Sequence, residues 1–199
     1  MIKSIIVGLS GLLLASSAVA AQNTKTSQDS NTQEATANTA KKNGADQTSQ
    51  KDNAEKNLKE SERFFAENKK KPGVVTTKSG LQYKIIKKGT GNSPTMDQFI
   101  NIQFRGTFLD GTEFEKNEKD GTSTFNLASV IPGWKEVFQI MQPGAEWIVY
   151  VPPNLGYGEK GVPGHIAPNA ALIFEIKLDS IIPPPNNKVT DVLEGYKEE

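Results

Sequence analysis

The sequence predicts an α+β domain in which an antiparallel sheet of about five strands wraps one short α-helix, preceded by an amphipathic helix. Three observations carry this. After Gly73 several runs alternate apolar and polar residues with the period of half-buried strands. Among them a single stretch, Val130 to Met141, has helical spacing, at Trp134, Val137, Ile140 and Met141, and Phe138 widens its stripe. Ahead of them, Asp52 to Lys70 is made of good helix formers without glycine or proline.

At the N-terminus, Met1-Ile2-Lys3 is a short positive region and Ile5 to Leu14 an uncharged apolar run. Ala18-Val19-Ala20 follows as a small-residue cleavage pattern. Residues 1–20 therefore read as a secretory signal peptide, too short for a membrane span and cut before Ala21, which directs the chain to the periplasm or the medium. From Gln22 through Asn57 there is no Val, Ile, Leu, Met or aromatic residue. Such a segment cannot bury enough apolar surface to offset the entropy of ordering it, so 21–51 is predicted to be a disordered polar spacer.

The helix is predicted over 52–72, with Ala54, Leu58 and Phe65 on roughly one face and Glu55–Lys59 as a favourable i,i+4 pair. Lys69-Lys70-Lys71 suits a helix C-terminus and Pro72-Gly73 stops it. The apolar stripe is thin, which favours a solvated stalk over a coiled coil.

Strand signals fill 73–182. Leu81 to Lys87 ends at Gly89-Thr90-Gly91, and Ile100, Ile102 and Phe104 alternate with polar neighbours. Asp110-Gly111 is a hairpin turn and Phe114 begins the return strand. Trp147, Val149 and Val151 form a further inward row, as do Leu172, Phe174, Ile176 and Leu178. The two-turn helix at Val130–Met141 cannot stand alone in water and needs these strands as cover, with Val137, Ile140 and Met141 turned toward them. Pro183-Pro184-Pro185 ends the domain, and 183–199 is expected to be a flexible tail.

Composition narrows the chemistry. The 199 residues include 23 Lys+Arg, 23 Asp+Glu, one histidine and no cysteine. The charge balance gives no reason to expect nucleic acid or an acidic membrane as partner. A chain without cysteine has no disulfide framework, thiolate nucleophile, sulfur metal site or lipid-anchor cysteine. His165, alone in the loop Val162 to Pro168, reads as an exposed loop residue and cannot by itself form a metal cluster or a catalytic triad. Gly156-Tyr157-Gly158 lacks the setting of a dinucleotide fingerprint, and no cofactor is expected.

What remains is a set of aromatics near loops and strand ends: Phe104, Phe114, Phe125, Trp134, Tyr157 and Phe174. Each alone could be core; together near turns they fit an aromatic-lined groove suited to an apolar ring such as proline. Isomerising an X-Pro bond needs no nucleophile, acid or base. Its barrier of ~18–20 kcal/mol reflects amide resonance. A dry cavity that holds the twisted amide lowers it, because the twisted carbon–nitrogen bond carries less charge separation.

Five ordered motifs sharpen the reading: Phe104-Arg105-Gly106, Asp110 to Glu115, Val130 to Trp134, Leu155 to Gly158 and Leu172 to Ile176. In order and spacing they resemble FKBP-type peptidyl-prolyl isomerases, and the segments Phe65 to Lys71 and Thr77 to Tyr83 resemble the bacterial macrophage-infectivity-potentiator (Mip) branch. The likeness covers about residues 58 to 182. It implies a proline ring seated on Trp134, walls from Phe114, Phe125, Val130 and Phe174, and Ile166 in a flap loop. The Ile131 N–H would bind a substrate carbonyl and the Tyr157 phenol another. Two positions depart from the family: Phe104 stands where tyrosine is usual, and Glu115 where aspartate is usual. With Tyr157 these are the candidate catalytic residues.

Two functions follow from the resemblance. One is a peptidyl-prolyl cis-trans isomerase that assists folding of exported proteins. The alternative is a chaperone or interaction module that holds proline-containing polypeptides with weak or no turnover. Because 21–57 lacks the apolar residues of a dimerisation region, a monomer is expected, with at most weak pairing through Leu58, Phe64 and Phe65.

Overall fold

The computed structural model of the chain describes residues 35–117 and 121–184, with side chains of the first helix from Lys51 onward. The expected signal peptide, the spacer up to residue 34 and the tail from 185 lie outside the described residues. Helix α1 (Ala35–Asn68) is followed by strands β1 (Val74–Thr76), β2 (Gln82–Lys87), β3 (Phe99–Thr107), β4 (Glu113–Lys116) and β5 (Ser123–Asn126). Helix α2 (Pro132–Phe138), β6 (Glu146–Val151) and β7 (Leu172–Ile182) complete the domain.

The strands form one antiparallel sheet in the order β1-β2-β6-β7-β3-β4, with β5 on the same edge of β3 as β4. It has seven strands rather than about five. The additional ones, β1 and β5, are three and four residues long, too short to show a period in the sequence. The long strands behave as the alternation predicts. Ile100 and Ile102 of β3, Val149 and Val151 of β6, and Leu172 and Leu178 of β7 have no exposed surface. Each such side chain removed from water contributes about 1.5–3 kcal/mol. The Asp110-Gly111 turn joins β3 to β4, the Asp110 carboxylate accepting from the Thr112 N–H at 2.8 Å.

Helix α2 lies against the inner face of this sheet, with Trp134, Val137 and Phe138 fully buried. Gly133 permits the approach: a Cβ there would stand 2.9 Å from Cγ1 of Val151 on β6. Ile140 departs from its expected place. The helix ends at Phe138, and the Ile140 N–H bonds back to the Val137 carbonyl in a tighter turn. That turn leaves Ile140 45 % exposed and returns Met141 to the core, while Phe138 occupies the inward position.

Helix α1 also differs from expectation. It begins at Ala35 rather than 52, so 35–51 of the expected spacer is helical, and it stops at Asn68 rather than 72. That stretch contains no proline to break the helix, although Gly44 and its Thr and Asn residues are weak helix formers. The Lys59 ammonium meets the Glu55 carboxylate at 2.7 Å, as the spacing predicts. The C-terminal half is not a solvated stalk. It docks through polar residues: Ser61 is 2 % exposed and Asn68 fully buried, whereas Leu58 is 39 % exposed. The Asn68 amide donates to Gln82 Oε1 at 2.9 Å, and the Gln82 amide donates to the Phe65 carbonyl at 2.9 Å. Phe64 packs on Tyr150 of β6 with ring centroids 5.8 Å apart.

Candidate functional site: an aromatic chamber around Trp134

Pro132 opens α2, with its fixed φ suited to the first helical position, and Ile131 precedes it in an extended conformation. The Ile131 carbonyl accepts from the N–H groups of Trp134 and Lys135 at 3.0 and 3.1 Å. This anchors Ile131 and carries Trp134 inward on the first turn.

Four phenylalanines meet the indole edge to face. Phe174 lies at 5.1 Å between ring centroids, Phe104 at 5.2 Å, Phe125 at 5.5 Å and Phe138 at 5.7 Å. Such pairs each contribute about 0.5–1.5 kcal/mol beyond the area they bury. Phe114 joins through Phe174 at 5.7 Å, and Phe108 tilts against Phe114 at 4.9 Å. Gly106 makes the arrangement possible, since a Cβ there would sit 2.6 Å from Phe114 Cζ and 3.1 Å from Phe174 Cε1.

The chamber has two layers. Trp134, Phe174, Ile166, Val130 and Phe104 are all at most 5 % exposed. Phe114, Phe125, Ile131, Tyr157 and Glu115 are half-buried. The expected floor, the indole, thus has no surface open to solvent and lies beneath the second layer. Its Nε1–H is buried without a hydrogen-bond partner among the described residues.

The two acidic residues around Phe114 have separate surroundings. The ladder between β3 and β4 is irregular at Gly106/Thr107, where β4 carries an extra residue. Glu113 pairs with Arg105 at 2.9 Å and Lys116 at 2.8 Å, and these two cations hold its carboxyl below the usual carboxylate range. Arg105 also reaches Glu175 at 3.4 Å. Glu115 instead acts on Tyr157: burial first, then the Glu115 charge, push the phenol well above its ordinary pKa. Tyr157 therefore stays protonated, a hydrogen-bond donor, throughout the physiological range. The Phe104 N–H is held by the Asn117 side chain, whose own amide donates to Ser123 at 2.7 Å.

The structure thus brings Phe104, Phe125, Trp134 and Phe174 into direct ring contact and adds Phe114 through Phe174. It places Val130 and Ile166 in the same buried cluster, with Ile131 and Tyr157 packed against it. Phe108, Phe138 and Gly106 belong to the chamber although sequence reasoning gave them no place in the site. Phe138 lay in the helical stripe and Gly106 in a quoted motif, so each had a signal. Phe108 had none beyond its position before the hairpin. His165 is exposed and outside the cluster.

A separate cavity of about 640 Å³ lies across the strands, with Gln103, Arg105, Glu175 and Lys177 among its walls. It shares Phe104 with the chamber but is lined by charges of both signs and does not reach Trp134. Among the described residues no group of three or more His, Asp or Glu is placed to hold a metal ion. No described helix is long and apolar enough to cross a membrane.

Among the described residues, an antiparallel sheet closed on a short helix, with a tryptophan ringed by phenylalanines, defines the class of fold. Comparison with known proteins identifies the class. The family of FKBP-type peptidyl-prolyl cis-trans isomerases matches residues 91–179, and the domain amino-terminal to such isomerases matches residues 7–85. Over 126 residues the chain is 48 % identical to "Peptidyl-prolyl cis-trans isomerase Mip" of Coxiella burnetii, covering 63 % of this chain and 55 % of that one. Over 129 residues it is 46 % identical to "Outer membrane protein MIP" of Legionella longbeachae, covering 64 % and 55 %. The crystal structure of FkpA from Escherichia coli superposes with a TM-score of 0.72 at 31 % identity, covering 75 % of this chain and 70 % of that one. The chain belongs to the FKBP-type peptidyl-prolyl cis-trans isomerase family. It spans about half the length of the two curated Mip relatives.

Proposed function

We propose that this chain is a peptidyl-prolyl cis-trans isomerase acting on proline-containing polypeptides during the folding of exported proteins. The observation that carries the reading is the chamber itself, an indole at the centre of four edge-to-face phenylalanines beneath a half-open layer that includes Tyr157 and Glu115. A proline ring displaces part of that layer and comes to rest toward Trp134, against Phe114, Phe125, Val130 and Phe174. The Ile131 N–H and the neutral Tyr157 phenol donate to carbonyls flanking the ring. Ile166 closes the loop side. Catalysis is then exclusion of water from the amide and stabilisation of its twisted form; unaided isomerisation takes tens to hundreds of seconds. The reading requires no cofactor.

Phe104 and Glu115 bear on how fast the enzyme turns over. Phe104 lacks the hydroxyl that tyrosine would bring beside Trp134, and Glu115 carries its charge one carbon farther than aspartate. These two residues support the second reading, a proline-segment-binding chaperone of low turnover. The deciding experiment measures cis-to-trans relaxation of an X-Pro peptide with the full chain beside Phe104→Tyr and Glu115→Asp. Acceleration by the wild type supports the enzyme. A folded wild type that gives no acceleration over buffer overturns it, and peptide binding without acceleration selects the second reading.

The site of action we infer is the periplasm or the medium. The apolar run and small-residue pattern before Ala21 support it, as does the name of the Legionella longbeachae relative, an outer membrane protein. No membrane attachment is expected after cleavage, and the chain is proposed to be a monomer.

A further inference from the structure

The buried face of α1 is polar, and its bonds converge on one loop. Ala54, Asn57, Ser61 and Asn68 follow one another at spacings of three, four and seven, a single helix face. The Asn57 amide donates to the Pro168 carbonyl at 2.8 Å, and the Ser61 hydroxyl donates to the Asn169 carbonyl at 3.1 Å. In return the Asn169 amide donates to the Ala54 carbonyl at 3.1 Å. Three bonds thus join two turns of helix to two consecutive loop residues, more than a hundred positions away in the chain.

That loop carries two residues of the chamber. Tyr157 stands at its beginning and Ile166 within it, and Asn169 closes its base: the Asn169 N–H donates to the Gly158 carbonyl at 2.9 Å. Between them Val162 and Ile166 exchange backbone bonds of 2.8 Å in both directions, so the loop is a stiff unit. Asn169 has φ 55°, a left-handed conformation in which glycine would be the unstrained choice. Asparagine is tolerated there and supplies what glycine lacks, an amide that reaches the helix. Asn169 is 8 % exposed, and every polar group of its backbone and its amide nitrogen is engaged.

We propose that α1 clasps the loop 158–169 through Asn169, making Asn57, Ser61 and Asn169 positioning residues that set Tyr157 and Ile166 against the chamber. This rests on the isomerase reading for its kinetic consequence, though not for the clasp itself. The clasp touches neither the ring floor nor the twisted amide. Loosening it therefore weakens the hold on the bound peptide, seen first in KM, while kcat, which draws on Tyr157 and on the exclusion of water by Ile166, changes by less.

The test compares the full chain with Ser61→Ala, Ser61→Thr, Asn169→Gly and the double variant Ser61→Ala/Asn169→Gly. Asn169→Gly keeps the left-handed backbone and its bond to Gly158 while removing the amide to Ala54. Each lost bond is expected to raise KM about three- to tenfold, with kcat within about twofold, and Ser61→Thr restores the wild-type KM. Amide exchange at Ile166 and Asn169 accelerates about tenfold in the double variant, while exchange along β3 and β7 stays as in the wild type. An unchanged KM with unchanged loop exchange overturns the clasp, as does a fall in kcat at constant KM. An inactive, folded wild type overturns the isomerase reading instead. Loop exchange then decides the clasp by itself, faster exchange sustaining it and wild-type exchange ending it.

Discussion

Tyr157 concentrates two effects of one sign. Burial disfavours its phenolate, and the neighbouring Glu115 carboxylate disfavours it further, so its folded pKa is raised above that of a free tyrosine. Above about pH 10 the unfolded chain loses this proton while the folded chain keeps it. The folded state then binds more protons than the unfolded, and stability falls as pH rises. The contribution is fully present below about pH 10 and is lost as pH rises through the folded pKa. Urea midpoints taken at about pH 8 and about pH 11 should therefore drop in the wild type and drop less in Tyr157→Phe. Tyr150, also raised chiefly by burial, keeps part of the slope in that variant. Gly106 gives a second residue-level prediction. In Gly106→Ala the new methyl meets Phe114 at 2.6 Å and Phe174 at 3.1 Å. Overpacking of this kind costs about 1–3 kcal/mol. Phe114 is half-buried and yields first, so the substitution should weaken peptide binding as well as lower the urea midpoint.

Helix α2 separates inward from outward residues sharply enough to test. Phe138 has no exposed surface and meets Trp134 at 5.7 Å, whereas Ile140, two residues on, is 45 % exposed. Phe138→Ala should cost about 3–5 kcal/mol, and Ile140→Ala should stay within about 0.5 kcal/mol, both read from urea denaturation. The same pair shows what periodicity can and cannot reveal. A stripe at Trp134, Val137, Ile140 and Met141 located the helix and its buried face, yet the tight turn after Phe138 takes Ile140 out of that stripe. In β3, β6 and β7 every second residue is apolar over a long run, so those strands and their inner faces are legible in the sequence. β1 and β5 are not, because three or four residues show no period. The docking of α1 escaped for another reason. Its packing face is Asn57, Ser61 and Asn68, and a search for apolar residues passes over a face held by hydrogen bonds. At the site, spacing and composition indicated an aromatic groove, while the individual residues came from motif resemblance. Neither could show that the indole lies wholly beneath Phe125 and its neighbours.

The sheet of the described residues has two edges, and their state bears on assembly. On one edge β4 presents Glu113 and Lys116, and beside it β5 continues along β3. Charged side chains on a four-residue strand discourage pairing with another chain. The other edge, β1, is three residues long, and it adjoins the exposed apolar side chains Val75 at 44 %, Ile85 at 39 % and Ile86 at 55 %. Among the described side chains this is the surface best suited to self-association, yet a three-residue ladder extends only about 10 Å. A stable interface buries at least about 1,000 Å², far more than such a ladder and three partly exposed side chains provide. Phe64, which could have extended the patch along α1, is spent on Tyr150 and Phe65 within the chain, with Lys71 Nζ 5.6 Å from its ring. The full chain should accordingly sediment as a monomer at micromolar concentration. Ile86→Lys, which places a charge in the apolar patch, should leave the sedimentation coefficient unaltered. A dimer that dissociates in Ile86→Lys would assign self-association to the β1–β2 edge, and a dimer insensitive to it would assign it to the region before Lys51. Either result would overturn the monomer.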